Sequence, residues 1–171
     1  MDEKGIVDLP VPITNDLERR IAEVFEIFDH AGNKTIDIRE VGTVVRALGR
    51  CPSEAEIQEI LIACEDLNMP GSIHLSKFLP HVSQILTEHK HEPASPAKLL
   101  EAFHVLDPER KGFITKEQIA MLMTQDGEPF SQEELDEMLE ICIDPLTQTV
   151  PYEYYLNKLM VSLGINNKHR L

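Results

Sequence analysis

The sequence predicts an all-α protein of four helix–loop–helix units that pair into two lobes, with a short two-stranded ribbon joining the loops of each lobe. One β-branched residue per unit is placed to pair a loop with its neighbour. These residues are Ile36, Ile73, Ile114 and Val150, at intervals of 37, 41 and 36 residues. Because repeats of this length cannot bury their apolar faces alone, we expect two of them to pack together in each lobe.

Helix starts carry N-capping signals. A side-chain oxygen at the first position accepts from a backbone amide that has no helical partner, and a Glu or Gln three residues later bonds back. The signals are Asn15-x-x-Glu18, Ser53-x-x-Glu56, Thr115-x-x-Gln118, Ser131-x-x-Glu134 and Ser95-Pro96, the last with proline at the first helical position. Apolar residues follow at helical spacing, as in Ile21, Val24 and Phe28. The pattern predicts a helix on each side of every loop.

The first loop, residues 29–40, matches the twelve-residue template of an EF-hand calcium site, which takes ligands from positions 1, 3, 5, 7, 9 and 12. The residues that fit ligand positions are Asp29, Asn33, Thr35 through its carbonyl, Asp37 and Glu40. Ala31 at position 3 offers no side-chain oxygen, and Lys34 stands where the template has the glycine of a sharp turn. We therefore predict weak or absent calcium binding here.

The other three loops keep the EF-hand outline and lose more ligands. In the second loop, Lys77 replaces the closing glutamate. In the third, Lys111 replaces an oxygen ligand and Gln118 offers one neutral oxygen at the closing position. The fourth is one residue short after Asp144, and its closing position is Tyr154. These substitutions predict retained folding with calcium binding lost or very weak.

Composition narrows the function classes. The chain has 171 residues, 42% of them hydrophobic, which is enough for two small cores, and its formal net charge is −14. An acidic protein is repelled by nucleic-acid phosphates and by anionic membranes, whereas basic helices attract it. No apolar run reaches the length of a membrane span, and the N-terminus lacks a signal peptide's apolar core, so we expect an intracellular protein. We expect no required cofactor, with calcium in the first loop as the one candidate.

The cysteines and histidines suggest neither a disulfide framework nor a zinc site. Cys51, Cys64 and Cys142 are odd in number and form no CxxC pair. We expect three reduced thiols packed as small apolar side chains. His89 and His91 lie in a polar stretch without other metal ligands nearby, which predicts a solvated connector.

Polarity and proline between the two halves predict the domain organisation. Residues 1–13 are expected to form a flexible N-terminus, 14–88 the first EF-hand pair, 89–94 a linker, 95–163 the second pair and 164–171 a flexible C-terminus.

Methionine-rich apolar positions in the second lobe predict a groove for a partner helix, because the flexible thioether adapts to varied partners. The predicted groove residues are Phe103, Met121, Met123, Met138 and Met160. The alternative is that these side chains fill the core of the lobe.

Several segments carry a family resemblance. The four-loop spacing resembles the calmodulin and light-chain superfamily across nearly the whole chain. Residues 28–43 (FDHAGNKTIDIREVGT), Lys77-Phe-Leu-Pro80 and residues 127–139 (GEPFSQEELDEML) more closely resemble the small EF-hand subunit of the nexin–dynein regulatory complex. That family is also called EF-hand calcium-binding domain-containing protein 2 or dynein regulatory complex subunit 8.

The resemblance implies a non-catalytic subunit of the axoneme in motile cilia and flagella, which helps regulate dynein-driven sliding. Its implied partners are other subunits of that complex, bound through amphipathic or IQ-like helices. Of the calcium ligands that the resemblance implies, only those of the first loop have matching residues here, namely the five that fit ligand positions.

Three readings stay open at this point. The chain is a calcium-independent adaptor that clasps partner helices, a calcium sensor acting through its first loop, or a light-chain-like subunit on a motor neck. An enzyme is disfavoured, since the sequence contains no glycine-rich phosphate loop, nucleophile motif or His/Glu zinc motif.

Overall fold

The computed structural model describes residues 11–66 and 69–162, and this part of the chain is mostly helical. The chain divides into two compact units, residues 1–93 and 94–171. The lobe and linker boundaries given above stay predictions. Most of the predicted flexible N-terminus, and all of 164–171, lie outside the described residues.

The first unit contains two helix–loop–helix motifs. Its elements are α1 (Asp16–Phe28), β1 (Thr35–Asp37), a 3₁₀ turn (Ile38–Glu40), α2 (Val41–Ala47), α3 (Glu54–Cys64), β2 (Ser72–His74) and α4 (Leu75–Thr87). The second unit repeats the order of helices and strands, without the 3₁₀ turn. Its elements are α5 (Pro96–Leu106), β3 (Phe113–Thr115), α6 (Lys116–Gln125), α7 (Gln132–Cys142), β4 (Thr149–Pro151) and α8 (Tyr152–Ser162). No helix of the described residues combines the length and apolarity that crossing a bilayer requires.

The predicted N-caps are confirmed. The side chains of Asn15 and Ser95 accept from the backbone amides three residues ahead. Ser53, Thr115 and Ser131 form complete capping boxes with the residue three positions on. These caps fix where five helices begin.

The predicted ribbons are confirmed in register. β1 pairs antiparallel with β2 through Ile36 opposite Ile73, and β3 pairs with β4 through Ile114 opposite Val150. All four side chains are buried. Each ribbon therefore joins two loops by backbone hydrogen bonds and anchors them in the core of its own unit.

The two cores differ in how completely they are buried. Among the described residues, the first unit's core cluster has 16 buried members and six partly buried apolar neighbours. The second unit's cluster has six buried members and eight partly buried apolar neighbours. At its centre the first unit packs Phe25 against Phe78, with ring centroids 5.2 Å apart and neither ring exposed. Among the residues that the structure describes, a larger share of the second unit's apolar cluster is therefore only partly buried.

The segment after α4 is anchored to the first unit. The Cys51 amide donates to the His91 carbonyl at 2.7 Å, and His91 Nδ1 lies 3.0 Å from a carboxylate oxygen of Glu56. His89 is exposed as expected, but the expectation of a solvated His91 was wrong, because these two contacts hold it against the start of α3.

The thiols are all free. Cys64 and Cys142 are buried as predicted, and burial raises the pKa of both, that of Cys64 to about 11. The prediction was wrong for Cys51, which is exposed in the turn between α2 and α3.

Candidate functional site

The first loop binds its own backbone through Asp29 and Asn33. Asp29 Oδ2 accepts from the Lys34 amide at 2.8 Å, and Oδ1 accepts from the Asn33 amide at 3.2 Å. Asn33 Oδ1 accepts from the Thr35 hydroxyl at 2.5 Å and from the Thr35 amide at 3.2 Å. The oxygens at positions 1 and 5 therefore already stabilise the loop.

Asp37 and Glu40, at positions 9 and 12, are paired with cationic or neutral nitrogen groups of the protein. Arg39 donates to Asp37 from Nη2 at 2.7 Å and from Nε at 2.9 Å. These side-chain hydrogen bonds, with that of the Arg39 amide, lower the pKa of Asp37 to about 2. Glu40 Oε1 lies 3.3 Å from His30 Nε2. A calcium ion would have to displace both partners to gain these ligands.

Lys34 adopts the backbone conformation that the EF-hand template assigns to glycine. Its φ is 61°, while Gly71 and Gly112 at the same position of the second and third loops both have φ of 85°. Position 6 therefore keeps its sharp turn in a residue for which this conformation is strained.

The four side chains among the five predicted ligands of the first loop, those of Asp29, Asn33, Asp37 and Glu40, contact other groups of the protein. Within residues 11–66 and 69–162, no three His, Cys, Asp or Glu side chains are grouped so that they could hold a metal ion. Ala31 contributes no oxygen, and Asp37 and Glu40 point to other partners. The assignment of Asp29, Asn33, Thr35, Asp37 and Glu40 to a metal site stays a prediction.

In the third loop, a tyrosine hydroxyl donates a hydrogen bond to the aspartate at position 1. Asp107, at position 1, is buried and its Oδ2 accepts from the Gly112 amide at 2.8 Å and from the Tyr152 hydroxyl at 3.0 Å. Burial acts to raise the pKa of Asp107, but hydrogen bonds from the Lys111 and Gly112 amides and from Tyr152 outweigh it, so the pKa lies below its ordinary value. Burial and the Asp107 carboxylate raise the pKa of Tyr152.

Sequence reasoning missed Tyr152. Its ring stacks on Phe103, with centroids 5.2 Å apart and planes at 10°, and His104 meets it edge-on at 5.9 Å. Its position in the sequence was the signal that could have found it. Tyr152 directly follows β4, which pairs with the strand of the third loop, so its hydroxyl can reach the aspartate of that loop.

The second and fourth loops also carry the substitutions noted in the sequence. Lys77 lies exposed at the third residue of α4. In the fourth loop the Asp144 amide donates to the Thr149 carbonyl at 2.9 Å, and Gln148 takes a φ of 56°. The missing residue therefore turns this loop into a tight turn. Tyr154, at its closing position, is exposed on α8.

The predicted groove residues are spread over different depths. Met160 is buried, Met121 is 51% exposed, and Phe103, Met123 and Met138 are partly buried against the core of the second unit. Four of the five are thus in contact with, or within, the interior of this unit. Their role as a groove stays a prediction.

The fold and paired loops place the chain among four-unit, calmodulin-like EF-hand proteins. The Physarum polycephalum myosin II regulatory domain has a TM-score of 0.65 at 25% identity, covering 83% of this chain and 93% of that one. Mlc1p bound to IQ2 of Myo2p, a class V myosin, has a TM-score of 0.64 at 22% identity, covering 81% and 95%. The second likeness concerns the fold alone.

Sequence comparison identifies the family. Dynein regulatory complex protein 8 of Mus musculus is 43% identical over 146 residues, 85% of this chain and 89% of the mouse protein. The Homo sapiens protein of that name is 41% identical over 114 residues, 67% of this chain and 42% of the human protein. Caltractin of Naegleria gruberi is 32% identical over 130 residues, 76% of this chain and 72% of caltractin. No protein-family model matches. The chain belongs to the dynein regulatory complex protein 8 family.

Proposed function

We propose that this protein is a non-catalytic subunit of the dynein regulatory complex in the axoneme of cilia and flagella, where its second lobe clasps an amphipathic helix of another subunit without requiring calcium. The observation that supports this most directly is the contrast between the two cores. In the described part of the chain, most of the first unit's apolar cluster is buried, whereas most of the apolar cluster of the second is only partly buried.

A helix laid against the second unit would cover the partly buried side chains. Apolar anchors spaced along one face of such a helix suit a trough of this kind. The net charge of −14 favours a basic helix, which is the chemistry of IQ-like segments. That the related fold of Mlc1p is bound to an IQ segment is consistent with this mode of binding.

The way the loops are stabilised supports the proposed calcium independence. Arg39 and His30 pair with two of the acidic ligands in the first loop, and Tyr152 caps the leading aspartate of the third. Protein groups thus occupy oxygens that an ion would bind in a calcium sensor. The alternative of a sensor acting through the first loop requires calcium to break two existing pairs.

Binding of an IQ-like helical peptide tests the proposal. We expect equal affinity in excess chelator and in millimolar calcium, measured by fluorescence anisotropy. Phe103→Ala should weaken binding at least about tenfold, which is about 1.4 kcal/mol. Ile27→Ala is the matched control, because Ile27 is an apolar side chain 70% exposed on α1 of the first unit.

Two results would contradict the proposal. Peptide binding that is lost in chelator would identify a calcium sensor instead. Equal losses for the Phe103 and Ile27 variants would exclude the second lobe as the site. For the cellular assignment, the protein should copurify with dynein regulatory complex subunits from isolated axonemes, and recovery with a myosin motor instead would favour the light-chain reading.

A further inference from the structure

A second apolar surface lies on the last helix–loop–helix motif, formed by the end of α7, the fourth loop and α8. We call it the α7–α8 patch and define it by Ile141, Pro145, Leu146, Pro151 and Tyr154. Ile141 is 55% exposed, Tyr154 59% and Leu146 91%. None of these residues belongs to the predicted helix groove. Large apolar side chains clustered at one exposed place are typical of interaction sites.

The patch surrounds a cavity of about 470 Å³, lined by all of its residues except Leu146, and also by Cys142, Ile143, Asp144 and Lys158. Lys158 Nζ lies 4.8 Å from the centre of the Tyr154 ring and donates to the Ile141 carbonyl at 3.2 Å. One amino group thus joins the end of α7 to the aromatic wall on α8. The cavity is therefore a built feature of this unit, large enough for one apolar side chain.

Carboxylates dominate the charge around the patch. Residues 132–162 contain seven acidic side chains and a single basic one, Lys158, so 7 − 1 leaves a net of six negative charges. Glu137 and Glu140 are exposed on α7, and Glu137 lies one helical turn before Ile141, on the same face. Asp144 lines the cavity itself. An approaching chain would meet a cavity with both apolar and charged lining residues, in a segment of net negative charge.

We propose that the α7–α8 patch is a second docking surface, which binds a basic polypeptide segment of a partner by seating one apolar side chain in the cavity beside Tyr154. Arg or Lys residues that flank this anchor pair with Glu137, Glu140 and Asp144. Charge complementarity of this kind chiefly speeds association and selects the partner. A second copy of this chain would bring the same acidic face and be repelled, as would an anionic membrane.

A protein with this surface and a helix-binding second lobe can contact two partner segments at once. The patch does not depend on the groove, because it shares no defining residue with it. Its test must therefore separate the two sites.

The probe is a fluorescein-labelled peptide with a Leu-Phe anchor flanked by two arginines on each side, titrated with the full-length protein. Control peptides carry Ser-Ser in place of the anchor, or glutamates in place of the arginines. We expect the basic apolar peptide alone to bind, and more weakly as salt is raised because the charge pairs are exposed. Leu146→Ser and Tyr154→Ser should each weaken binding at least about tenfold.

Two variants test the electrostatic contribution to peptide binding. The double variant Glu137→Lys/Glu140→Lys should weaken binding. The control Glu23→Lys, which changes an exposed charge on α1 of the first unit, should have little effect. Circular dichroism confirms that each variant is folded. Phe103→Ala should leave binding of this peptide intact, so a failure of the groove proposal would not affect this one.

Three outcomes would overturn the inference. In the first, the peptide binds wild type and the Leu146 and Tyr154 variants equally, or loses affinity only with Phe103→Ala. In the second, it binds only a chain ending at residue 162, which would mean that residues 163–171 occupy the patch. In the third, sedimentation shows a dimer that Leu146→Ser dissociates, which would mean that a second copy is the occupant.

Discussion

Phe78 and Phe103 offer a direct comparison of the two cores. Phe78 is fully buried and packs on Phe25 in the first unit, while Phe103 is partly buried and stacks on Tyr152 in the second. Each can be truncated to alanine in the full-length chain. If the second unit keeps apolar surface for a partner, the two truncations must differ in cost.

The structure sets the expected magnitudes. Removing a fully buried phenylalanine leaves a cavity and costs about 3–5 kcal/mol. Phe103 is only partly buried, so it gains less than the full burial energy of a phenylalanine, roughly 1–2 kcal/mol, and its stacked ring pair adds about 0.5–1.5 kcal/mol. Phe103→Ala should therefore cost about 1.5–3.5 kcal/mol. For domains of this size, 1 kcal/mol shifts Tm by about 4–8 °C.

Differential scanning calorimetry should show one unfolding transition for each unit. Each variant should lower the Tm of the unit that carries the substitution and leave the Tm of the other unit unchanged. We expect Phe78→Ala to lower the Tm of the first unit by more than about 12 °C. It should leave IQ-like peptide binding intact. Phe103→Ala should lower the Tm of the second unit by less, and it should weaken binding of the IQ-like peptide. Equal costs of about 4 kcal/mol for both variants would refute the reasoning, because Phe103 would then be an ordinary core residue.

Three further predictions concern the loops and thiols. The double variant Ala31→Asp/Lys34→Gly supplies the missing ligand and the missing turn residue of the first loop. Calorimetric titration at micromolar calcium should detect binding to the double variant and no heat with the wild type. Micromolar binding by the wild type would contradict this. The folded pKa of Asp107 lies below its ordinary 3.8, so the stability contributed by its carboxylate is complete above that value and is lost as pH falls through the folded pKa. Tyr152→Phe should make the urea midpoint of the second unit less sensitive to pH below about 4, and an unchanged pH profile would show that the hydroxyl does not stabilise the carboxylate. A thiol-reactive disulfide at pH 8 should label one cysteine rapidly in the native protein, and Cys51→Ala should remove that phase; a second fast thiol would be inconsistent with the burial of the others.

The local elements could be predicted from sequence because their signals are local. A serine with a glutamate three residues later forms a capping box through contacts within one helical turn, as Ser53 and Glu56 do. The ribbon register followed from one β-branched residue per loop, confirmed at Ile36 and Ile73. Missing ligands were equally readable, since each EF-hand position demands a particular oxygen.

Features that depend on distant partners could not be predicted in the same way. Tyr152 and Asp107 are 45 positions apart and meet only because β3 and β4 pair. His91 is held by Cys51 and Glu56, far upstream in the chain. The methionines illustrate a further difficulty, because helical spacing marks an apolar face without telling whether a core or a partner covers it.

The backbone pairing of the two ribbons has a consequence for how this family can diverge. Since the β1–β2 and β3–β4 ladders bond main chain to main chain, they are indifferent to which side chains occupy the loop tips. A substitution such as an aspartate exchanged for lysine at a tip removes a ligand but leaves the ladder intact. Mutations can therefore abolish the calcium affinity of a loop while the fold is retained. The loop residues can then form new contacts, such as that between Tyr152 and Asp107.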